Sequence, residues 1–469
     1  MKFWPLRFRE FGKGRLLFSD EAGGYFAADP EFLQRYVSDD RSVLDITFLT
    51  KNGHTFSTVG DVEFMGFASR WAKRVNFSPN INYVILVPTL RCDLHCDYCQ
   101  VSRVSQNARG FDWDEATIQK AIDWLMGLES PSIKIEFQGG EPLLRLDILE
   151  RVRTACRNKF ISSEFVVCTN LQDVTEAAWS FLASDDTFIS TSLDGTFEIH
   201  QAQRTKKTSA TAQFRANLDY ALSEFGPKKV SALPTIDPMA APEPMDMIRS
   251  FAERGLTSIF LRSVNYQGFA RKKYDFEASG KIWNDYYQNF ILTLIEYNNT
   301  APEPMEEYYF SHILKRIVQG GHNGYVDLRN PNWLAQDYLV IDYNGTFYPT
   351  DEARMITRVG QIDLSIGSLD AGLDVEKVTQ LNTKASNYND PDCLHCTYQT
   401  FCGVDRIDEL SRHGRIDLPR HLTAHCVKHL SLFDFAFELL YSEDAKVQSS
   451  LASWLKVPRF SPKLAPRLA

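Results

Sequence analysis

The first eighty residues alternate between short apolar and polar stretches that predict a small sheet followed by helices. Three strand-like stretches come first, and glycines around Lys13 predict a hairpin turn between the first two: Leu6 to Phe11, Leu16 to Phe18 and Gly23 to Ala27. Asp29, directly before Pro30, and Ser42 then predict two helix starts. This order of elements predicts a winged-helix-like module over residues 1–80.

From residue 81 the pattern changes to strands that alternate with helices. Six strand candidates follow each other: Val84 to Val87, Ile133 to Phe137, Phe165 to Cys168, Phe188 to Ser192, Val230 to Leu233 and Ile259 to Leu261. In the first helix, Ile118, Ala121, Ile122 and Leu125 fall on one apolar face, and Asp112 is a candidate cap. Repeated units of this kind predict a parallel sheet with its chemistry at the carboxyl ends of the strands.

The last third of the chain divides into three parts. The aromatic stripe from Trp283 to Tyr297 predicts a covering helix, and the two prolines between Ala301 and Pro304 end it. Residues 301–335 are therefore expected to form a linker or helical region. A cysteine-containing region over 336–435 and a C-terminal helix and tail over 436–469 follow.

Composition and charge exclude several classes of function. A net charge of -9 over 469 residues argues against binding to nucleic acid. The chain has neither a signal-peptide pattern nor an apolar stretch of membrane-spanning length, so we expect a cytoplasmic protein with no membrane partner. Seven of nine cysteines fall in two groups with metal-ligand spacing, which fits a reducing compartment. Cys156 and Cys168 lie outside both groups and are expected to be small core residues.

The first cysteine group follows the first strand candidate. Cys92, Cys96 and Cys99 have the spacing Cys-x3-Cys-x2-Cys. Three thiolates on one loop can hold three irons of a 4Fe-4S cluster and leave the fourth iron open to a ligand. Two alternatives remain from the residues alone: a zinc site that uses two of the cysteines, or three inert buried thiols.

This spacing, with the aromatic Tyr98 before the last cysteine, resembles the radical S-adenosylmethionine (SAM) enzymes. The resemblance implies an α/β fold, a partial (β/α)6 barrel over residues 81–300. It also implies that SAM binds the open iron through its amino and carboxylate groups. An electron donor such as flavodoxin or ferredoxin then supports reductive cleavage of SAM to a 5'-deoxyadenosyl radical, which abstracts a hydrogen atom.

Further motifs fall at the predicted strand ends, where they could surround SAM. The second strand ends at Gln138, and the next four residues match the Gly-Gly-Glu-Pro motif of the family, whose backbone takes the SAM amino group: Gly139, Gly140, Glu141 and Pro142. Thr169 and Asn170 end the third strand. By resemblance, Ser192 and Arg204 are candidates for the ribose and carboxylate ends of SAM. From the residues alone, Glu141 fixes the turn or meets a positive group. The alternatives for the later strand ends are that Asp194 and Gly195 are a common turn pair and that Arg204 is only a surface charge.

The second cysteine group resembles the SPASM extension of radical SAM peptide maturases. It consists of Cys393, Cys396, Cys402 and Cys426, four of the seven cysteines of the full pattern. Thr350 and Arg406 stand where two ligands of the inner auxiliary cluster belong. The resemblance therefore implies one auxiliary 4Fe-4S cluster, held by the four remaining cysteines. A four-thiolate zinc site is the alternative.

Asp351 is a candidate catalytic residue because it directly follows the vacated Thr350 position. In formylglycine-forming maturases, an Asp beside that cysteine takes a proton from the substrate. The resemblance thus implies a general base, and the alternative is a solvated loop carboxylate.

The opening stretch from Phe3 to Arg9, the stretch from Ala22 to Phe26 and the reduced SPASM tail together resemble the B-type maturase of the His-Xaa-Ser repeat peptide systems. The resemblance implies a radical SAM peptide maturase whose partner is a ribosomally made precursor peptide with His-Xaa-Ser repeats. The N-terminal module would bind the leader peptide as an added strand, or it is only a cap on the barrel. Alternatives are a formylglycine-type sulfatase maturase, a non-catalytic peptide-binding protein with a zinc-stapled tail, and an enzyme that uses SAM as methyl donor.

Overall fold

The centre of the fold is a seven-stranded, mainly parallel sheet. The computed structural model describes residues 1–12, 14–75, 80–265, 267–272, 276–320 and 328–466. The strands are β1 (Lys2–Phe3), β2 (Arg7–Phe11), β3 (Arg15–Ser19), β4 (Tyr25–Ala28), β5 (Thr55–Phe56), β6 (Tyr83–Leu86), β7 (Arg91–Cys92), β8 (Val104–Ser105), β9 (Ser132–Phe137), β10 (Ser162–Cys168), β11 (Thr187–Thr191), β12 (Val230–Ala232), β13 (Thr235–Ile236), β14 (Ser258–Ile259), β15 (Arg262–Ser263), β16 (Glu306–Glu307), β17 (Tyr338–Ile341), β18 (Phe347–Tyr348), β19 (Gly367–Ser368) and β20 (Gly372–Leu373).

Sixteen helices are described around these strands. They are α1 (Pro30–Val37), α2 (Val43–Lys51), α3 (Val62–Val75), α4 (Glu115–Met126), α5 (Leu146–Lys159), α6 (Glu176–Leu182), α7 (Phe197–His200), α8 (Thr208–Phe225), α9 (Pro244–Ala252), α10 (Phe276–Asn298), α11 (Tyr308–Val318), α12 (Asp351–Arg358), α13 (Val375–Leu381), α14 (Arg406–His413), α15 (Ala424–Leu440) and α16 (Ala445–Leu455). In the described part of the chain, no helix combines the length and the apolar character needed to cross a membrane.

The order of the main sheet is β12-β11-β10-β9-β6-β17-β18, and only β18 is antiparallel to its neighbour. Its two faces differ, as β9 shows: Ile133, Ile135 and Phe137 are buried in the main core, and Lys134 and Glu136 on the opposite face are half-buried. The apolar face is covered by helices such as α4 and α5, which pack side by side. This is the mainly parallel α/β architecture that the sequence predicted.

Three expectations about this region are corrected. The sixth strand candidate lies outside the main sheet, because β14 pairs with β16. The sheet is instead extended at its other side, where β17 from the C-terminal region pairs with β6. Asp114, rather than Asp112, caps α4 by accepting a hydrogen bond from Thr117 N at 2.8 Å. Asp112 instead accepts a hydrogen bond from Arg91 Nε at 2.8 Å.

The N-terminal module contains the predicted strands and helices. An antiparallel sheet of order β2-β3-β4 precedes α1 and α2, and Ser42 forms a capping box at the start of α2. Lys13 of the predicted turn lies outside the described residues, as do residues 321–327 of the predicted linker. The module contacts the C-terminal cysteine region directly, because Ser19 Oγ donates a hydrogen bond to Thr397 O at 2.6 Å.

Candidate active site

The first cysteine group lies on a loop at the carboxyl edge of the main sheet, directly after β6. Two backbone hydrogen bonds tie this loop to the end of β9. Gly140 N donates to Thr89 O at 3.0 Å, and Glu141 N donates to Arg91 O at 2.8 Å. The Gly-Gly-Glu-Pro segment therefore positions the cysteine loop.

The glycines of this segment are required by the close approach of two backbones. A Cβ at Gly140 would lie 2.0 Å from Arg91 O, and one at Gly139 would lie 2.2 Å from Thr89 O. Gly139 also has a φ of 128°, which side chains disfavour. On the other side of the loop, a Cβ at Gly268 would lie 2.3 Å from Gln100 O. Glycines thus border the cysteine loop on two sides, and the sequence reasoning missed Gly268.

Glu141 links the loop to the neighbouring strand end. Its buried carboxylate accepts hydrogen bonds from Leu143 N at 3.1 Å and from Asn170 N at 2.8 Å. Burial raises the pKa of Glu141 to about 7. The side chain of Asn170 then donates to Asp93 Oδ1 at 2.6 Å, beside Cys92. Glu141 and Asn170 therefore support the loop, and Glu141 fixes the turn as the alternative interpretation held.

A second chain of polar contacts reaches the loop at Tyr98. Arg204 Nη1 donates to the hydroxyl of Tyr98 at 2.9 Å, and that hydroxyl donates to Asp194 Oδ2 at 2.5 Å. Asp194 is buried and also accepts from Thr235 N at 3.0 Å. Although burial lowers the pKa of Arg204, the charges of Cys96, Tyr98 and Asp194 raise it well above its ordinary value. Arg204 is thus part of the site and is not a surface charge, and Asp194 is more than a turn residue.

The remaining candidates for SAM contacts occupy the same edge. Pro142 begins a short 3-10 helix that Glu141 caps, and Thr169 N donates to Ser190 O at 2.9 Å. Ser192 directly follows β11 and is half-buried. The structure therefore brings all of the predicted SAM-binding residues to the edge that carries the cysteine loop.

The three thiols have the chemistry that a cluster requires. Burial raises the pKa of Cys92 and of Cys96, and the positive charge of Arg204 opposes this for Cys96. Iron supplies the positive charge that favours the thiolate forms at such a site. Three free thiols without a fourth cysteine on the loop fit a 4Fe-4S cluster with one open iron, and the neighbouring Arg204 fits the carboxylate of SAM.

The structure also brings the four C-terminal cysteines together. Burial raises the pKa of Cys402, and the nearby thiols of Cys396, Cys426 and Cys393 raise it further. Cys426 lies in the first turn of α15, where Thr423 caps the helix. Among the described residues, no three or more His, Cys, Asp or Glu side chains surround one point closely enough to hold a single metal ion.

Two strand residues of the N-terminal module lie beside this group, and the sequence reasoning did not anticipate them. Arg9 forms a bidentate ion pair with Asp434 at 2.8 and 2.9 Å. Burial raises the pKa of Cys396, and the positive charge of Arg9 partly opposes this shift. Arg7 Nε donates to Leu394 O at 2.6 Å. Alternating arginines on β2 were the available signal, since one face of a strand then carries two cations.

Asp351 is buried at the start of α12 rather than solvated in a loop. Its carboxylate accepts a hydrogen bond from Arg354 Nε at 2.9 Å. Burial and the charge of Glu136 raise the pKa of Cys168, and the charge of Asp351 raises it further. Cys168 itself contacts Glu136 at 3.3 Å, so it belongs to a polar cluster of the barrel interior and not to the apolar core, whereas Cys156 is a core residue as expected.

A cavity of about 710 Å³ lies between the barrel and the C-terminal region. Gln100, next to the cysteine loop, is part of its wall, as are Trp283 of α10 and His425 of α15. Thr350 and Arg406, the residues at the vacated ligand positions, also contribute to the wall. The cavity therefore extends from the candidate cluster loop toward the second cysteine group.

Comparison with known proteins identifies the central part of the chain. Residues 86–252 match the model of the radical SAM superfamily, so they form a radical SAM domain that implies SAM and a 4Fe-4S cluster. The chain is 32% identical over 129 residues to uncharacterized protein MJ0907 of Methanocaldococcus jannaschii, and the match covers 27% of this chain and 43% of that protein. The chain spans less than half the length of the first curated relatives that it matches.

Solved structures share the fold over more of the chain. Histidine-tagged anSMEcpe with bound AdoMet is 17% identical with a TM-score of 0.62, over 80% of this chain and 98% of that one. Native anSMEcpe with bound AdoMet and Cp18Cys peptide is 17% identical with a TM-score of 0.59, over 76% and 96%. At this level of identity, the similarity establishes the common fold.

Proposed function

We propose that this chain is a radical SAM enzyme that modifies a ribosomally made precursor peptide. One observation carries the proposal: three free thiols lie on one loop that the Gly-Gly-Glu-Pro segment holds at the carboxyl edge of the sheet. When bound there, SAM and the 4Fe-4S cluster supply a 5'-deoxyadenosyl radical that removes a hydrogen atom from the substrate.

The residues around the loop have separate tasks in this proposal. Cys92, Cys96 and Cys99 hold the cluster, and the hydrogen bonds made by Gly140 and Glu141 keep the loop in place. Arg204, oriented by the hydroxyl of Tyr98, binds the carboxylate of SAM. Ser192, Thr169 and Asn170 border the same ligand.

The cavity between the barrel and the C-terminal region supports a peptide substrate. Its volume of about 710 Å³ accommodates a short segment of a peptide. The solved neighbour with a bound peptide has the same fold. We further propose that the precursor contains His-Xaa-Ser repeats. The product then forms by oxidation or cross-linking.

The C-terminal cysteines and Asp351 complete the proposed site. Cys393, Cys396, Cys402 and Cys426 hold an auxiliary 4Fe-4S cluster. Asp351 is the proposed general base that would take a proton as the substrate radical loses one electron to the auxiliary cluster. Its carboxylate is held by the hydrogen bond from Arg354, and its charge acts on Cys168. Asp351→Asn should therefore retain SAM cleavage and lose product.

Anaerobic co-expression with the short open reading frames encoded beside the gene tests the proposal. Intact-mass and fragment analysis should show the loss of hydrogen pairs at defined peptide residues. Cys96→Ala should abolish 5'-deoxyadenosine formation, because one corner of the cluster is lost. Cys156→Ala is the matched control, since that cysteine lies in the apolar core away from both groups. Unmodified peptides together with intact SAM cleavage would refute the peptide assignment and leave the enzyme class standing.

A further inference from the structure

Four arginines contact the segment from Cys393 to Cys402, here called the cysteine segment. The N-terminal module supplies three of them and α11 supplies the fourth: Arg7, Arg9, Arg74 and Arg316. Arg9 lies over the ring of Tyr398 at 5.7 Å, and its charge is compensated by the bidentate ion pair with Asp434. The positive charges of the other three arginines need a separate explanation.

Arg7 has a buried N–H group that lacks an acceptor. Its side chain is only 10% exposed, Nε donates to Leu394 O at 2.6 Å, and Nη2 donates to the exposed Glu21 at 3.1 Å. Nη1 is buried and has no hydrogen-bond partner among the described residues. A buried donor without an acceptor is costly, so an acceptor is expected beside it. Leu394 lies between Cys393 and Cys396, so this acceptor belongs to the surroundings of the thiols.

Arg316 and Arg74 bring two further charges to the other end of the cysteine segment. Arg316 is 3% exposed, and its Nε donates to Phe401 O, next to Cys402. Arg74 lies over the ring of Phe401 at 5.2 Å and donates to Arg316 O at 3.1 Å and to Ala22 O at 2.9 Å.

These two buried guanidinium groups have main-chain carbonyl groups as hydrogen-bond acceptors. Burial lowers the pKa of each to about 10. Within the part of the chain that the structure describes, neither forms an ion pair with a carboxylate. Buried cations are costly without an anion nearby.

The auxiliary cluster proposed for the four C-terminal cysteines is an anion of the required kind. A 4Fe-4S cluster held by four thiolates is negatively charged, and reduction adds one more negative charge to it. Hydrogen bonds to its sulfur atoms and nearby charges set its reduction potential. A positive charge therefore stabilises the reduced form more than the oxidised form.

We propose that Arg7 and Arg316 are counter-cations of the auxiliary cluster, that Arg7 Nη1 donates a hydrogen bond to one of its sulfur atoms, and that both charges raise its reduction potential. A higher potential favours the transfer of one electron from the substrate radical to the cluster, while the proton goes to Asp351. The inference rests on the auxiliary cluster of the proposed function, but not on the identity of the substrate.

A redox titration of the reconstituted full chain, followed by electron paramagnetic resonance, tests this proposal. The same titration on Cys96→Ala, which lacks the SAM cluster, assigns the auxiliary signal. Arg7→Gln and Arg316→Gln each remove one charge, whereas Arg7→Lys and Arg316→Lys retain it. Arg15→Gln is the matched control, because that guanidinium lies in the same N-terminal sheet over the rings of Phe11 and Tyr441.

We expect Arg7→Gln and Arg316→Gln to bind the iron of the wild type and to lower the equilibrium constant for reduction at least about tenfold. For one electron, this corresponds to a potential lower by about 59 mV. The two lysine variants should remain within about threefold of the wild type, and Arg15→Gln should equal it. In D2O, electron-nuclear double resonance of the reduced cluster should show one coupled exchangeable deuteron fewer in Arg7→Gln.

Arg7→Gln decides the result if the buried Arg316→Gln fails to fold. An unchanged potential in Arg7→Gln, or equal shifts in its glutamine and lysine variants, would overturn the effect of charge. An unchanged deuteron spectrum in Arg7→Gln would overturn the hydrogen bond to sulfur.

The proposed function and this inference fail in different ways. Shifted potentials in an enzyme that modifies no peptide would refute the proposed function and retain the role of the two arginines. Zinc instead of iron at the four cysteines, in an enzyme that still modifies a peptide, would overturn the inference and retain the peptide assignment.

Discussion

The substitution Gly140→Ala tests whether the packing of two backbones holds the cluster loop. A Cβ at this position would lie 2.0 Å from Arg91 O and 2.6 Å from the carbonyl carbon of Leu90. All of these neighbouring atoms belong to the backbone, so no side chain can rotate away. The loop must retreat by about 1 Å, which strains or breaks the hydrogen bonds of Gly140 N and Glu141 N.

The expected cost follows from those contacts. Two weakened backbone hydrogen bonds and the overpacking together amount to about 3 kcal/mol, which lowers the population of the closed loop by a factor of about 100. We therefore expect the variant to lose the iron bound at Cys92, Cys96 and Cys99 after anaerobic reconstitution. The second cysteine group does not contact Gly140, so its metal content should not change.

Iron and sulfide analysis, with electron paramagnetic resonance in the presence of SAM, measures this effect. Gly66→Ala is the matched control, because its Cβ would meet only Arg70 at 3.8 Å within a helix. That variant should retain all its iron, and alanine should make the helix slightly more stable. A Gly140→Ala protein with the full iron content and a normal SAM response would refute the reasoning.

Three further predictions concern other contacts. Cys402→Ala should remove the auxiliary cluster and lower the iron content; unchanged iron with lost zinc would favour a zinc site instead. Tyr98→Phe should retain iron but weaken SAM binding about tenfold, because Arg204 loses the hydroxyl that orients it; unchanged affinity in a calorimetric titration would contradict that role. Glu307 accepts hydrogen bonds from Leu261 N and Phe310 N, and burial raises its pKa to about 7. A carboxyl group whose pKa is raised by folding contributes its full stability below its ordinary pKa, and this contribution is lost as the pH rises through 7. The wild type should thus lose up to about 3 kcal/mol relative to Glu307→Gln between pH 4.5 and 8 in urea unfolding, and parallel curves would refute this.

Local patterns predicted most of the elements that carry the site. The hairpin, the starts of α1 and α2, and five of the six barrel strands agree with the structure because capping and alternation are properties of neighbouring residues. The addition of β17 to the sheet could not be predicted in this way. Pairing between β6 and β17 joins residues about 250 positions apart, and no local pattern specifies a partner at that distance.

The same division holds for the candidate site. The sequence by itself determined the two cysteine groups and the Gly-Gly-Glu-Pro segment, because their chemistry depends on residue type and spacing. Only the tertiary structure showed that the glycines pack on the cysteine loop, that Tyr98 joins Arg204 to Asp194, and that residues 463–465 pair with the edge of β4. Those contacts arise where distant segments meet, so packing decides them and the order of residues along the chain does not.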